Sequence, residues 1–205
     1  MISIFQAETI AQGGPIVLIL IGCSIISVAL ILERMYYLKP KKIICLKDLQ
    51  AIESEIERGD LKKALAFSRS NNSPMMKVAE VAILNADKPK ADLKMIIEES
   101  GRLEVPRLEH YLSTLHTIAV VSPLLGLLGT VLGMIHVFDA IVTQGTGNNQ
   151  LLAGGISEAM ITTAFGLMVA IPTLVFTNYF TKKVDLILVE MERHSLYLYE
   201  MLTAK

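Results

Sequence analysis

Glu158 is the residue whose type and setting most clearly predict chemistry. It lies in an apolar stretch, and residues 117–181 contain no Lys or Arg that could neutralise it. An acidic side chain near the membrane centre costs about 2.5–3.5 kcal/mol on an insertion scale, so such residues are usually functional. A carboxyl group that is withdrawn from water can gain and lose a proton near neutral pH. The sequence therefore predicts a proton-binding site at this position.

Hydroxyl groups continue along the same face of the predicted helix. At 100° per residue, an arc of about 140° that begins at Glu158 also holds Thr162, Thr163, Gly166, Thr173 and Thr177. The opposite side is apolar and includes Met160, Leu167 and Ile171. One face is expected to meet lipid or packed helices, and the other something wet or polar. From this stripe alone, Thr162 is predicted to line a pore.

The energy released by a proton that crosses the membrane is comparable to the cost of ionising a carboxyl group there. A proton that crosses a membrane releases about 2.3 kcal/mol per 100 mV, and each pH unit of gradient adds about 1.4 kcal/mol. The alternative is that the Glu158 carboxylate only ends the span at the outer interface. Glu158 precedes Lys182 by 24 residues, or about 36 Å of helix, which leaves this alternative open.

Small residues form a second pattern in the preceding apolar stretch. Ser122, Gly126, Gly129 and Gly133 occupy neighbouring angles on a helix, and small residues let membrane helices approach closely. Gly166 is the corresponding small residue on the later helix. Thr130 lies beside the strip, and its hydroxyl either bonds back to its own helix or lines a pore.

Other constellations give weaker predictions. His136 and Asp139 are three residues apart and form either a proton relay or an interfacial pair. The histidines have no metal-ligand spacing, and the two cysteines form no disulfide or zinc pattern. The glycines are not followed by the Gly-Lys-Ser/Thr of a phosphate-binding loop. No metal or cofactor is expected, and the transported ion is expected to be H⁺.

Charge placement shows which elements must position these residues. The chain is 52% hydrophobic with a mean hydropathy of +0.50, and its net charge of −1 excludes the basic footprint of a nucleic-acid binder. Fifteen of the 19 basic residues lie between positions 33 and 116, and the other four lie at or after position 182. A membrane helix needs about 20 apolar residues, which predicts spans at 16–32, 117–138 and 158–181.

The positive-inside rule predicts the sidedness of these spans. The basic regions 33–116 and 182–205 are expected in the cytoplasm, as a helical domain and a helical tail. The N-terminus (1–15) and the loop with the start of the third-span helix (139–157) are expected outside. The first span is not expected to be a cleaved signal peptide, because no basic residue precedes it.

The cytoplasmic regions have helical periodicity, so the predicted fold is an all-α membrane protein. Gly59-Asp60 and Asn71-Asn72-Ser73-Pro74 are expected to separate helices. An apolar stripe from Leu93 to Leu115 predicts one helix that runs straight into the second span and is kinked at Pro106.

Two long motifs resemble the ExbB/TolQ/MotA proton-channel family. Residues 122–135 (SPLLGLLGTVLGMI) with Phe138 resemble its second-helix motif, and residues 158–172 (EAMITTAFGLMVAIP) resemble its third-helix motif. The resemblance departs at Ser122, where the family usually has Ala, and at Met160, where Leu is common. The three predicted spans fit the ExbB or TolQ type better than the four-span MotA type.

This resemblance implies an inner-membrane homopentamer whose second and third helices line a central pore. The pore would hold a single-span partner of the ExbD/TolR type, and a TonB/TolA-type protein is a further candidate partner. Proton-motive force would then be converted into mechanical work on the partner. By motif match, Glu158 occupies the position of the family's essential third-helix carboxylate. Thr163 and Thr130 occupy the positions of its two pore threonines.

A passive scaffold and an intramembrane enzyme are the two alternative function classes. A passive scaffold that anchors a partner complex needs the same spans but no ion flux. An intramembrane enzyme is disfavoured because no nucleophile–base pair is visible. The energised process stays open between outer-membrane transport, envelope constriction and gliding-type motility. One carboxylate without further ligands favours H⁺ over Na⁺.

Overall fold

The computed structural model describes residues 14–144 and 149–204, and these residues contain no strand. The predicted all-α fold is therefore confirmed for the described chain. Residues 1–13, 145–148 and 205, which include parts of the predicted N-terminus and outer loop, lie outside the described residues. The helices are α1 (Gly14–Tyr37), α2 (Pro40–Ile43), α3 (Leu46–Glu57), α4 (Leu61–Arg69), α5 (Pro74–Leu84), α6 (Lys90–Glu109), α7 (Leu112–Gln144) and α8 (Asn149–Thr203).

Three helices are long and apolar enough to cross a membrane. They are α1, α7 and α8, and the predicted spans 16–32, 117–138 and 158–181 each lie within one of them. α8 begins before Glu158 and continues to Thr203 without a break, so the third span and the tail belong to one helix. The sidedness of the spans stays a prediction.

The short helices begin and end where their sequence signals predict. α3 ends just before Gly59, whose φ of 82° suits glycine. The Asp60 carboxylate accepts the Lys63 backbone N–H at 3.1 Å and caps α4. The Ser73 hydroxyl accepts the Met76 backbone N–H at 3.4 Å and caps α5. Each side chain supplies an acceptor for a free N–H group of the first turn.

One continuous helix was predicted from Leu93 into the second span, and this prediction is wrong. α6 ends at Glu109 and α7 begins at Leu112, whereas Pro106 lies inside α6. Tyr111 adopts φ 65°, a left-handed conformation that interrupts the ladder of helical hydrogen bonds. A single such residue leaves the apolar periodicity intact, so the pattern could not show it.

The described residues form two compact units. The first comprises residues 14–33 and 111–178, apart from 145–148, and contains the second candidate span together with the first parts of α1 and α8. The second comprises residues 34–110 and 179–204. In the second unit the predicted apolar stripes become buried faces of α6 and of the end of α8, which include Leu93, Ile97, Leu108, Val184, Ile187, Met191 and Leu198.

Arg34 is a buried cation in the second unit. Its side chain is only 2% exposed, and its Nη1 donates to the Leu108 carbonyl oxygen at 3.2 Å. The guanidinium also lies 4.9 Å from the centre of the Tyr37 ring. The last carbonyl groups of a helix carry partial negative charge, so this cation stabilises the end of α6 before the break.

Candidate functional site

The hydroxyl stripe of α8 faces the interior of the first unit. Thr162, Thr173 and Thr177 are at most 4% exposed, whereas Met160 and Ile171 on the opposite side are at least 60% exposed. The sequence left open whether the hydroxyl face meets something wet or something polar, and for these three threonines it meets the protein interior rather than water. Within a membrane, lipid accepts apolar side chains, while polar groups find their partners inside the protein.

Glycines of α7 allow α8 to pack closely against it. A Cβ added to Gly126 would lie 3.0 Å from the Thr162 carbonyl oxygen, and one added to Gly133 would lie 2.9 Å from the Ala159 Cβ. A Cβ on Gly129 would overlap the side chain of Thr162. From the other helix, a Cβ on Gly166 would lie 2.6 Å from the carbonyl oxygen of Ser122. The predicted small residues therefore lie along one seam.

Two threonines of α8 bond within this seam. The Thr163 hydroxyl donates to the Gly126 carbonyl oxygen at 3.0 Å, and the Thr162 hydroxyl donates to the Ala159 carbonyl oxygen at 2.8 Å. Thr163 is only partly buried, whereas Thr162 is 2% exposed against Gly129. Their pore-lining roles stay predictions, and the burial of Thr162 within its own chain favours a packing role.

The Thr130 hydroxyl bonds back to its own helix, which is the first of the two arrangements predicted for it. Its hydroxyl donates back to the Leu127 carbonyl oxygen at 2.6 Å, and the residue is partly exposed. The hydroxyl oxygen can still accept a further hydrogen bond. Pore lining at this position stays a prediction.

A polar contact joins α1 to α8, and the sequence analysis missed it. The hydroxyls of Ser27 and Thr173 lie 2.7 Å apart, and both residues are buried. Thr173 donates its proton to the Val169 carbonyl oxygen at 2.7 Å, so Ser27 is the donor between the two hydroxyls. Ser24 and Ser27 are the two hydroxyl residues in the apolar run of α1, and they were the available signal.

Glu158 is partly buried and lies beside the first residue of α1. A Cβ added to Gly14 would lie 2.7 Å from Glu158 Oε1, and Gly14 has φ +62°. The N-terminal end of a helix carries free N–H groups and partial positive charge. The carboxylate therefore lies beside the start of a helix, although no Lys or Arg lies nearby in sequence.

A cavity of about 470 Å³ opens next to this carboxylate, where α7 ends and α8 begins. Its lining consists of His136, Val137, Ala140, Gln150, Gly154, Gly155 and Glu158. His136 and Asp139 are both exposed, and of these two only His136 is among the described lining residues. Sequence reasoning identified His136 but not its shared cavity with Glu158, because neither residue lies near the other along the chain.

Among residues 14–144 and 149–204, no group of three His, Cys, Asp or Glu side chains is placed to hold a metal ion.

Comparison with known proteins gives a consistent set of relatives. The model of the MotA/TolQ/ExbB proton channel family matches residues 50–193. The chain is 34% identical over 173 residues to the putative biopolymer transport protein ExbB-like 3 of Synechocystis sp., which covers 82% of this chain and 81% of that protein. It is 32% identical over 187 residues to the Tol-Pal system protein TolQ of Haemophilus influenzae, covering 84% and 80% respectively. A shorter match to the biopolymer transport protein ExbB of Salmonella typhimurium is 43% identical over 70 residues, 34% of this chain and 29% of that protein.

Proposed function

The chain belongs to the MotA/TolQ/ExbB proton channel family, and from this premise we propose that it conducts protons as the channel subunit of an inner-membrane motor. It is a multi-pass protein of the inner membrane. The family is a channel family rather than an enzyme family. The proposal goes beyond family membership and names the ion, the residue that binds it and the work that results.

The position of Glu158 carries this proposal. Its carboxylate is partly buried, lines a cavity and lies at the positive end of α1. A helix N-terminus favours the charged form of a carboxyl group, and apolar surroundings favour its neutral form. A group with two accessible charge states at one location can bind a proton on one side and release it on the other.

The mechanical step requires a partner that responds to the change in the charge state of Glu158. We propose a single-span protein of the ExbD/TolR type, held by several copies of this chain, with a pentamer as the expected assembly. Exposed apolar side chains on α7 and α8, among them Leu124, Val131, Ile171 and Val175, suit contact with lipid or with neighbouring helices. A TonB/TolA-type protein is the proposed recipient of the work, as in outer-membrane transport or envelope processes.

Proton flux separates this function from a passive scaffold. The complex, purified from its native membrane through a tag on this chain, is reconstituted into liposomes that contain a pH-sensitive dye. Under an imposed potential, the wild type acidifies the lumen, and Glu158→Gln reduces the rate at least tenfold. Glu190→Gln, an exposed position further along the same helix, keeps the wild-type rate. Absence of flux in the wild type would favour the scaffold.

A further inference from the structure

We propose that the cavity between the end of α7 and the start of α8 is a water-filled entry compartment for protons, in which His136 accepts protons and passes them to Glu158. This inference rests on the proposed function and adds to it a second proton-carrying residue.

Small side chains create the cavity. Val137 of α7 packs against Gly155 of α8, where an added Cβ would lie 2.5 Å from Val137 Cγ2. Beyond this contact, Ala140 and Gly154 leave the space between the helices unfilled, and nothing lies within 4 Å of a Cβ placed on Gly154. The volume of about 470 Å³ holds on the order of ten water molecules.

The polar side chains of the lining favour the entry of water into the cavity. His136, Gln150 and Glu158 contribute polar side chains, and a roomy cavity with several polar partners is hydrated, whereas an apolar one stays dry. The only titratable groups of the described lining are His136 on α7 and Glu158 on α8. Asp139 lies one turn from His136 and is exposed, and α1 carries no charged side chain from Gly14 to Leu32.

The helix register places the two titratable residues within one turn of each other, with His136 nearer the end of α7 and the start of α8. Val137 contacts Gly155, and Gly133 contacts Ala159. The α7 segment 133–137 therefore runs beside the α8 segment 155–159. His136 belongs to the first segment and Glu158 to the second, so the two side chains enter one cavity from neighbouring helices.

Imidazole is suited to the transfer because it exchanges a proton readily between pH 5 and 8. One ring nitrogen of neutral His136 takes a proton from cavity water. The other nitrogen then releases its proton, through water, to the Glu158 carboxylate. One proton enters, one proton leaves, and the imidazole returns to its neutral form with no other bond changed.

The cavity lies at the end of the spans that the charge pattern predicts to be outside. It is built from the last turns of α7 and the first turns of α8, far from the basic residues that begin at Lys182. Protons driven inward by the membrane potential would meet His136 before Glu158.

Proton flux through reconstituted complexes tests the relay. His136→Asn, which keeps a polar side chain, is expected to lower the flux about tenfold at neutral pH. His136→Ala is expected to do the same and to regain most of the flux when imidazole is added outside the liposomes. His116→Gln, an exposed histidine near the other end of α7, is the matched control and keeps the wild-type flux.

The outcomes distinguish this inference from the proposed function. Wild-type flux in His136→Asn, or no response of His136→Ala to imidazole, would overturn the relay while leaving Glu158 as the proton site. Loss of flux in Glu158→Gln without imidazole rescue is expected. A wild-type complex without flux would overturn the proposed function and the relay together.

Thiol labelling tests the hydration of the cavity independently of flux. In a chain whose Cys23 and Cys45 are replaced by serine, Gly154→Cys is expected to react with a charged, membrane-impermeant thiol reagent. Ile171→Cys, in the middle of the third span and 60% exposed, is expected to stay unreacted. Equal protection of both positions would contradict a water-filled compartment.

Discussion

Gly14 and Glu158 lie in contact, because a Cβ on Gly14 would stand 2.7 Å from the Oε1 atom of Glu158. The two residues are 144 positions apart in sequence, and their contact joins the start of α1 to the early part of α8. It gives the carboxylate a place at the positive end of a helix. Gly14 therefore positions the carboxylate that we propose as the proton site.

Gly14→Ala is expected to impair both folding and flux. The added methyl group displaces the carboxylate, and a non-glycine residue in a left-handed conformation costs about 1–2 kcal/mol. Gly22→Ala in the same helix, with nothing within 4 Å of its added Cβ, is expected to be neutral or slightly stabilising. Thermal unfolding and liposome flux measure the two effects, and identical behaviour of the two variants would contradict the assigned contact.

Gly129→Ala is expected to separate α7 from α8. Its methyl group would overlap three atoms of the Thr162 side chain, and overpacking of this kind typically costs about 1–3 kcal/mol. The melting temperature in detergent should fall clearly. Gly154→Ala, whose added Cβ meets open space, should leave it unchanged. A Gly129 variant as stable as the wild type would show that the seam is looser than described.

The Ser27–Thr173 hydrogen bond is expected to give a measurable coupling energy. Ser27→Ala and Thr173→Val each remove one partner of a buried pair, and interhelical hydrogen bonds in membranes are worth about 0.6 kcal/mol on average. A double-mutant cycle on unfolding should give a coupling of about 0.5–1 kcal/mol. Strict additivity of the two changes would mean that the hydroxyls do not stabilise each other.

Several features of this arrangement were visible in the sequence, and their physical origin explains why. Apolar length predicted the three long helices, and Gly59-Asp60 and Asn71-Asn72-Ser73-Pro74 predicted the breaks between short helices, since both are local signals. The small residues from Ser122 to Gly133 predicted close approach, because their spacing places them on one face.

Other features depend on contacts between distant parts of the chain. Periodicity placed Thr162 and Thr173 on a polar face but could not say whether that face meets water or another helix. The contact of Gly14 with Glu158 and the cavity shared with His136 arise only when three helices come together. The break at Tyr111 runs against residue preference, because a bulky side chain seldom adopts a left-handed conformation.

His194 is expected to make the second unit sensitive to mild acid. Burial, assisted by the charge of Arg193, lowers the pKa of His194 below its ordinary value of 6.5. The unfolded chain therefore binds a proton at a higher pH than the folded chain, so stability is lost as the pH falls below about 6.5 towards the folded pKa.

Melting temperatures at pH 7.5 and pH 5.5 test this expectation. His194→Gln should show a smaller drop between the two values than the wild type, whereas His116→Gln at an exposed position should show the wild-type drop. An unchanged drop in His194→Gln would assign the acid sensitivity to other groups.

The central claim is that Glu158 itself gains and loses a proton, and infrared difference spectroscopy of the reconstituted complex tests it most directly. Spectra are compared before and after the external medium is acidified, for the wild type and for Glu158→Gln. The account predicts a protonated-carboxyl band in the wild type that is missing from the variant, with the remaining carboxyl bands unchanged. Identical difference spectra would show that this carboxylate keeps one charge state, and would contradict the account.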